Sequence, residues 1–270
     1  MTNELPARNA TYQFGDSLLA AERLHRLAEV FEPSTRALLA RLPAGGVRKI
    51  ADLGCGPGHT TRLLAEIFAS AQVTGFDISP NFIERARQDS GGRLQFVTAD
   101  VTETLPDGPY DVLYCRYVLT HLAEPLAAVG TFGAQLQPRG MLVIEENQWI
   151  RTEQPAFARY LEIVTAMLAD ANQRLYVGAE LAAATFPGLV PLSSEVTPLA
   201  VADRAAARMF LPNLETWRTR PFVAQNYTGA ELDRLQTELQ QLADARANER
   251  SITFGLRQIV LASAGPGLAS

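Results

Sequence analysis

The sequence predicts an α/β protein organised on a doubly wound, mostly parallel sheet, and two observations carry that expectation. Residues 48 to 146 alternate short apolar runs with helical patterns, the arrangement of strand–helix–strand units. The first apolar run (Ile50, Leu53) ends in Asp52-Leu53-Gly54-Cys55-Gly56-Pro57-Gly58-His59, followed by a helical pattern with Leu63, Leu64, Ile67 and Phe68 on one face. Glycines at alternate positions let the backbone take positive φ and let a ligand approach main-chain N–H groups at a helix N-terminus. The dinucleotide fingerprint wants a further glycine where this chain has His59, which weakens a nicotinamide reading.

At 270 residues the chain can bury a large core and suits one domain with elaborations. Its formal net charge is -5, and Lys49 is its only lysine. With no basic run to meet phosphates, a nucleic-acid partner is not expected and a small molecule is. Cys55 and Cys115 lack metal-ligand spacing and read as intracellular thiols, so no metal is expected. No apolar stretch approaches a membrane span and the N-terminus lacks a leader pattern, so a soluble, cytoplasmic protein without a membrane partner is expected.

In chain order, residues 16 to 42 carry leucines at helical spacing interrupted by Glu32-Pro33-Ser34, which predicts two helices before the first strand. The segment Thr11 to Gly15, with Tyr12 and Phe14, suits either a cover over a pocket or plain packing. Val73 to Asp77 reads as the second strand, and Ser79-Pro80 as the cap and first turn of the next helix. Asp77 lies about 20 residues past the glycines, where a carboxylate accepts from ribose hydroxyls. Leu94 to Thr98 is the third strand, leading to Asp100 and Val101. Tyr110 to Cys115 is the fourth, continuing into Arg116-Tyr117-Val118-Leu119-Thr120-His121 at the sheet edge where ligands sit. Glu124-Pro125 opens a helix, Pro138-Arg139-Gly140 turns, and Met141 to Glu146 is a near-continuously apolar fifth strand. Beyond it, helices are expected over 155 to 172 and 178 to 186, a sixth strand over 190 to 201, helices over 203 to 250 with a Thr228 to Glu231 capping box, and a final strand over 252 to 262.

These residues together, Asp52 to Gly58, Asp77, Asp100, the fourth-strand junction and Pro138-Arg139-Gly140-Met141, resemble the class I S-adenosylmethionine-dependent methyltransferases. The flanks are more loosely similar to bacterial small-molecule methyltransferases, through Tyr12, Arg23-Leu24 and the helical C-terminal insertion. The resemblance implies a Rossmann-like, seven-stranded sheet with strand 7 antiparallel, N-terminal helices, and a helical insertion between strands 6 and 7. The implied divisions are a helical cover (1–45), a cofactor-binding core (46–202 and 251–264), and a same-domain insertion (203–250) serving as lid or dimerisation element. The implied cofactor is S-adenosyl-L-methionine, contacted by Asp52, Gly54, Cys55, Gly56, Gly58, Asp77, Ile78, Asp100, Val101 and Arg116. Asp100 and Val101 would meet the adenine, an amino donor needing an acceptor inside an apolar slot.

The cofactor's sulfonium makes a methyl carbon electrophilic, so the protein must align an acceptor and exclude water. A base is needed only for a protonated acceptor, and His121, Glu145 and Glu146 are the candidates, followed by Tyr12 and Tyr117. His121 equally suits packing or cofactor contact. Strand alternation sends at most one of Glu145 and Glu146 to the pocket. Arg116 suits a carboxylate of substrate or cofactor, or a plain surface position. Phe210, Trp217, Phe222 and Tyr227 are candidates for the acceptor pocket or for helix packing. The expected activity is methyl transfer to a small aromatic or hydrophobic metabolite, with oxygen favoured as acceptor. The alternative is a protein that binds the cofactor without transferring its methyl group.

Overall fold

The computed structural model describes residues 15–265 apart from 44, 89, 247 and 248. Tyr12 and most of the expected aromatic cover therefore lie outside the described residues. The chain begins with α1 (Leu18–Leu39) and then alternates β1 (Lys49–Leu53), α2 (His59–Ile67), β2 (Gln72–Asp77), α3 (Pro80–Arg87), β3 (Leu94–Thr98) and β4 (Tyr110–Arg116). One turn of 3-10 helix (Leu119–His121) precedes α4 (Pro125–Gly133) and β5 (Leu136–Thr152). Then come α5 (Pro155–Asp170), α6 (Gly178–Ala183), β6 (Leu189–Val201), α7 (Asp203–Trp217), α8 (Pro221–Asn226), α9 (Gly229–Asp244) and β7 (Ile252–Ser263).

The sheet has seven strands in the order β3-β2-β1-β4-β5-β7-β6. Neighbouring strands are parallel from β3 to β5, and β7 runs antiparallel between β5 and β6. The order reverses between β1 and β4, and the crevice beyond the carboxyl ends of those two strands is where such sheets take ligands. The strands are almost wholly buried there: Ile50, Ala51, Val112, Leu113 and Tyr114 have no measurable exposure.

Three expectations are corrected. The first helix is continuous through Glu32-Pro33-Ser34. Proline removes one amide donor from a helix, but Phe31, Thr35, Leu38 and Leu39 are all buried on the same face, and that packing holds the helix together. Pro138-Arg139-Gly140 is a bulge inside β5 and not a turn before it. The pairing with β4 jumps from Tyr110↔Leu136 to Val112↔Met141, and Arg139 takes a left-handed φ of 67°. β5 also runs past Glu146 to Thr152, because β7 pairs with it along that extension.

The extended halves of β5, β6 and β7 carry a second layer. Helices α5, α7, α8 and α9 build their own core around Phe157, Tyr160, Phe210, Leu214 and Trp217, which continues to Phe31 of α1 and Phe254 of β7. α9 begins at the expected capping box, with Thr228 and Glu231 exchanging hydrogen bonds. Where β7 passes beneath this layer, Gly255 pairs with Trp149, and a Cβ on Gly255 would lie 2.2 Å from the indole. Gly255→Ala is therefore expected to destabilise the fold by about 1–3 kcal/mol, read as a fall of several degrees in the thermal unfolding midpoint.

Candidate active site

A cavity of about 610 Å³ opens at the reversal point of the sheet. Its floor is the glycine turn. Gly54, Gly56 and Gly58 all have left-handed backbone (φ 64°, 53° and 86°), so the choice of residue at this turn is set by conformation as much as by contact. At Gly54 a Cβ would also meet Val118 Cγ2 at 2.5 Å, so glycine is what lets the strand-4 loop close over the turn. Cys55 N–H donates to the Phe76 carbonyl at 2.9 Å, and Gly56 N–H donates to Asp77 Oδ2 at 2.8 Å. Asp77 Oδ1 accepts from Ser79 N–H at 2.8 Å. The turn is thus locked to the end of β2 by the carboxylate expected to meet a ribose.

Of the expected cofactor residues, Gly54, Cys55, Gly56, Asp77, Ile78, Asp100, Val101 and Arg116 line the cavity. Asp100 Oδ1 accepts from the Thr102 N–H and hydroxyl at 2.9 and 2.7 Å, so it shapes its own turn at the rim while its other oxygen is not used there. Gly58 caps α2 and is not part of the lining; a Cβ on it would strike Phe96. Asp52 is also behind the lining. It is buried, and its Oδ2 accepts from the Thr60 and Thr61 hydroxyls at 2.8 and 2.7 Å, fastening the turn to α2. Burial pushes its carboxyl up to about 6. The donor set fits a nucleoside with no phosphate: carboxylates at the ribose and base positions, main-chain amides at the turn, and neither lysine nor arginine within Gly54–Gly58.

The expected catalytic residues separate. His121 lines the cavity, and burial together with the nearby Arg23 guanidinium lowers its imidazole to about 3. Glu145 and Glu146 are both fully buried, and neither lines the cavity. Glu145 accepts from the hydroxyls of Thr35 (2.7 Å) and Tyr114 and from Gln258 Nε2 (2.7 Å). Glu146 Oε1 accepts from Val118 N–H (2.8 Å) and Leu119 N–H (2.7 Å), pinning the loop after β4, while its Oε2 has no partner among the described residues. Burial pushes this carboxyl up to about 8 against those hydrogen bonds. Arg116 donates to Thr35 Oγ1 at 3.0 Å and borders the cavity. Tyr117 lines it too, with a left-handed φ of 56°, and burial raises its phenol well above the usual range.

The remaining wall comes from α1 (Leu27, Phe31), α5 (Leu161, Val164) and α7 (Met209, Phe210), with Phe254 from β7. Of the four aromatic candidates only Phe210 is there; Trp217 is fully buried in the helical core, and Phe222 and Tyr227 face each other beside it. Sequence reasoning missed Asn147 and Asn213, both buried and lining the cavity. An asparagine within the otherwise apolar run of α7 was the available signal.

The fold and this site define a Rossmann-like domain for a nucleoside cofactor, and comparisons with known proteins agree. Residues 51–144 match the family model described as a methyltransferase domain. Trans-aconitate 2-methyltransferase of Escherichia coli (strain E24377A) is 34% identical over 128 residues, which is 47% of this chain and 50% of that protein. The enzyme of the same name from Streptomyces coelicolor is 39% identical over 115 residues, 40% of this chain and 38% of that protein. The chain thus spans about half the length, or less, of these curated relatives. Coclaurine N-methyltransferase, solved with N-methylheliamine and S-adenosylhomocysteine, shares the fold at a TM-score of 0.54 and 14% identity, over 88% of this chain and 72% of that one. Over residues 51–144 the chain is thus similar to methyltransferase domains, and the cofactor this similarity supports is S-adenosylmethionine.

Two outcomes are expected. Asp77→Ala, which frees the glycine turn and removes a ribose acceptor, weakens S-adenosylhomocysteine binding by roughly tenfold or more, measured by calorimetry. Between pH 4.5 and about 8 folded Glu146 keeps a proton that the unfolded chain has released. The folded state binds more protons there, so unfolding free energy falls as pH rises, by at most about 1.4 kcal/mol per pH unit. Glu146→Gln keeps an acceptor for the Val118 and Leu119 amides and is expected to flatten this part of the pH–stability curve, measured by denaturant unfolding.

Proposed function

We propose that this chain is a methyltransferase that esterifies the carboxylate of a small, predominantly apolar acid. The observation that carries the reading is the distribution of charge in the cavity. Its carboxylates, Asp16, Asp77 and Asp100, belong to the cofactor side, where Asp16 accepts from Ser79 Oγ at 2.8 Å. The other walls contain Arg23 and Arg220 and no carboxylate among the described residues. Such a site favours an anion.

The state of its titratable groups supports the same acceptor. Passing a phenolic proton, near 10 in water, to an imidazole at about 3 would be uphill by roughly 10 kcal/mol. Tyr117 stays a neutral phenol, and Glu146 is turned away to the Val118 amide. A carboxylate needs no base: its oxygen forms the new bond to the methyl carbon as the carbon–sulfur bond breaks, and no proton moves. When bound, the cofactor supplies the electrophilic methyl. The protein's part is to hold the anion through arginine, orient it with Tyr117 and His121 at the sheet edge, and exclude water with its apolar walls. His121 is read here as a neutral positioning group instead of the base.

The names of the relatives support a carboxylate acceptor, since aconitate is a carboxylic acid. The apolar wall built by Leu27, Phe31, Leu161, Met209 and Phe210 suits one carboxylate on a hydrophobic body better than a compact tricarboxylate. The insertion containing α7 then serves as the acceptor wall within the same domain.

The test offers the whole chain methyl-labelled S-adenosylmethionine with a panel of phenylalkanoic acids and the matching phenols and amines. Base-labile methyl esters are expected, with kcat/KM flat between pH 6 and 9. Label in phenyl ethers or methylamines, or a limb in that pH range, would overturn the carboxylate reading. Cofactor binding with no label transferred to any compound would favour a non-methylating protein. Arg23→Met is expected to raise the acid KM roughly tenfold.

A further inference from the structure

The acceptor wall contains a buried amide that the fold does not satisfy. Asn213 lies on α7 with 9% of its surface exposed, and its Nδ2 donates to Tyr160 Oη at 2.8 Å. That bond fixes the plane of the amide. Its Oδ1 is buried and has no hydrogen-bond partner among the described residues. Leaving such an acceptor unpaired costs as much as losing a whole hydrogen bond, so its retention needs a reason.

Local structure does not give one. Asn213 occupies the same face of α7 as Met209 and Phe210, and all three line the cavity. Its neighbour Tyr160 stacks on Phe210 with ring centroids 4.1 Å apart, so the amide is held by a rigid aromatic pair. A leucine in this setting would bury without penalty. Because the residue borders the cavity, a molecule lodged there is what can bring the missing donor. A carboxylate has no donor to give, and neither does an alkyl or aryl body.

We propose that Asn213 determines acceptor specificity, taking through Oδ1 a hydrogen bond from a hydroxyl or N–H group carried on the body of the acid. The preferred acceptor is then a hydroxylated or amide-bearing hydrophobic carboxylic acid. This rests on the carboxylate reading above and narrows it. A site that pairs a substrate donor discriminates strongly against the analogue lacking it, because the amide is then left buried and unpaired.

The probes are phenylalkanoic acids with side chains of two to five carbons, each unsubstituted and with a hydroxyl at ring position 2, 3 or 4. The wild-type chain is expected to favour at least one hydroxylated acid over its parent by roughly tenfold in kcat/KM, through KM and not kcat. In Asn213→Leu the two members of that pair should differ by no more than about twofold, while S-adenosylhomocysteine still binds. If acids are methylated but no hydroxylated form is preferred by the wild type, or the preference survives in the variant, this inference is overturned and the carboxylate reading stands. If no acid is methylated, the carboxylate reading fails and takes this one with it. Should the leucine variant not fold, the wild-type comparison decides alone.

Discussion

The site depends on one buried carboxylate. Glu145, midway along β5, draws hydrogen bonds from Thr35 on α1, Tyr114 on β4 and Gln258 on β7. Gln258 in turn accepts from Thr197 of β6 and donates to Ser34 of α1. A buried carboxylate with every direction satisfied is a strong specifier of position, because losing any partner leaves charge or dipole unpaired in a low-dielectric interior. Here it fixes a helix to the middle of a sheet. α1 then presents Arg23, Leu24, Leu27 and Phe31 to the cavity, so the acceptor wall is held in register from beneath.

The adjacent Glu146 points to the other face, as strand alternation requires, and does a complementary job. Its hold on the Val118 and Leu119 amides draws the β4 loop inward until Val118 rests on Gly54. The same loop carries Tyr117 and His121. Two consecutive glutamates thus position the helix that lines one side of the pocket and the loop that lines the junction with the cofactor turn, and neither lines the cavity itself. Their placement at the end of an apolar strand suggests chemistry in the sequence; in the fold it is architecture.

What was legible follows from how local each signal is. The glycine turn, Asp77 and the strand–helix alternation announce themselves because backbone conformation and spacing along a single βαβ unit determine them. The continuity of α1 through Pro33 was not legible, since the packing of Phe31, Leu38 and Leu39 that holds it comes from contacts far along the chain. The bulge at Arg139 looked like a turn because left-handed residues serve both. In the pocket, Asp52 and Gly58 read as ligand contacts from their place in the motif, yet the cavity is lined by their neighbours. Arg23 entered only through the looser resemblance and Asn213 only as an asparagine in an apolar run, because a polar residue on an amphipathic helix acquires a definite role only when the opposing wall is known. The aromatic residues of the insertion misled for the same reason: Trp217 and Phe210 are both helical, both apolar in company and both part of the helical core, and only packing shows that Phe210 also reaches the cavity while Trp217 does not.

Electrostatics explains why an apolar cavity is suited to the proposed reaction. Joining a carboxylate to a sulfonium methyl destroys a positive and a negative charge together, giving a neutral ester and a neutral thioether. The transition state carries less charge than the separated reactants, so water solvates the reactants better and slows the step. Walls of leucine, phenylalanine and methionine withdraw that solvent, while the attraction between the two ions, stronger in low dielectric, helps hold them in contact. Arginine is the counter-charge compatible with this arrangement, since its delocalised, weakly hydrated guanidinium stays charged when buried and binds the carboxylate without taking a proton from or giving one to the reaction. A lysine or histidine in the same position would be discharged by burial, as His121 is. The near absence of lysine in this chain and the burial of Arg23 at the cavity are consistent with that physical requirement.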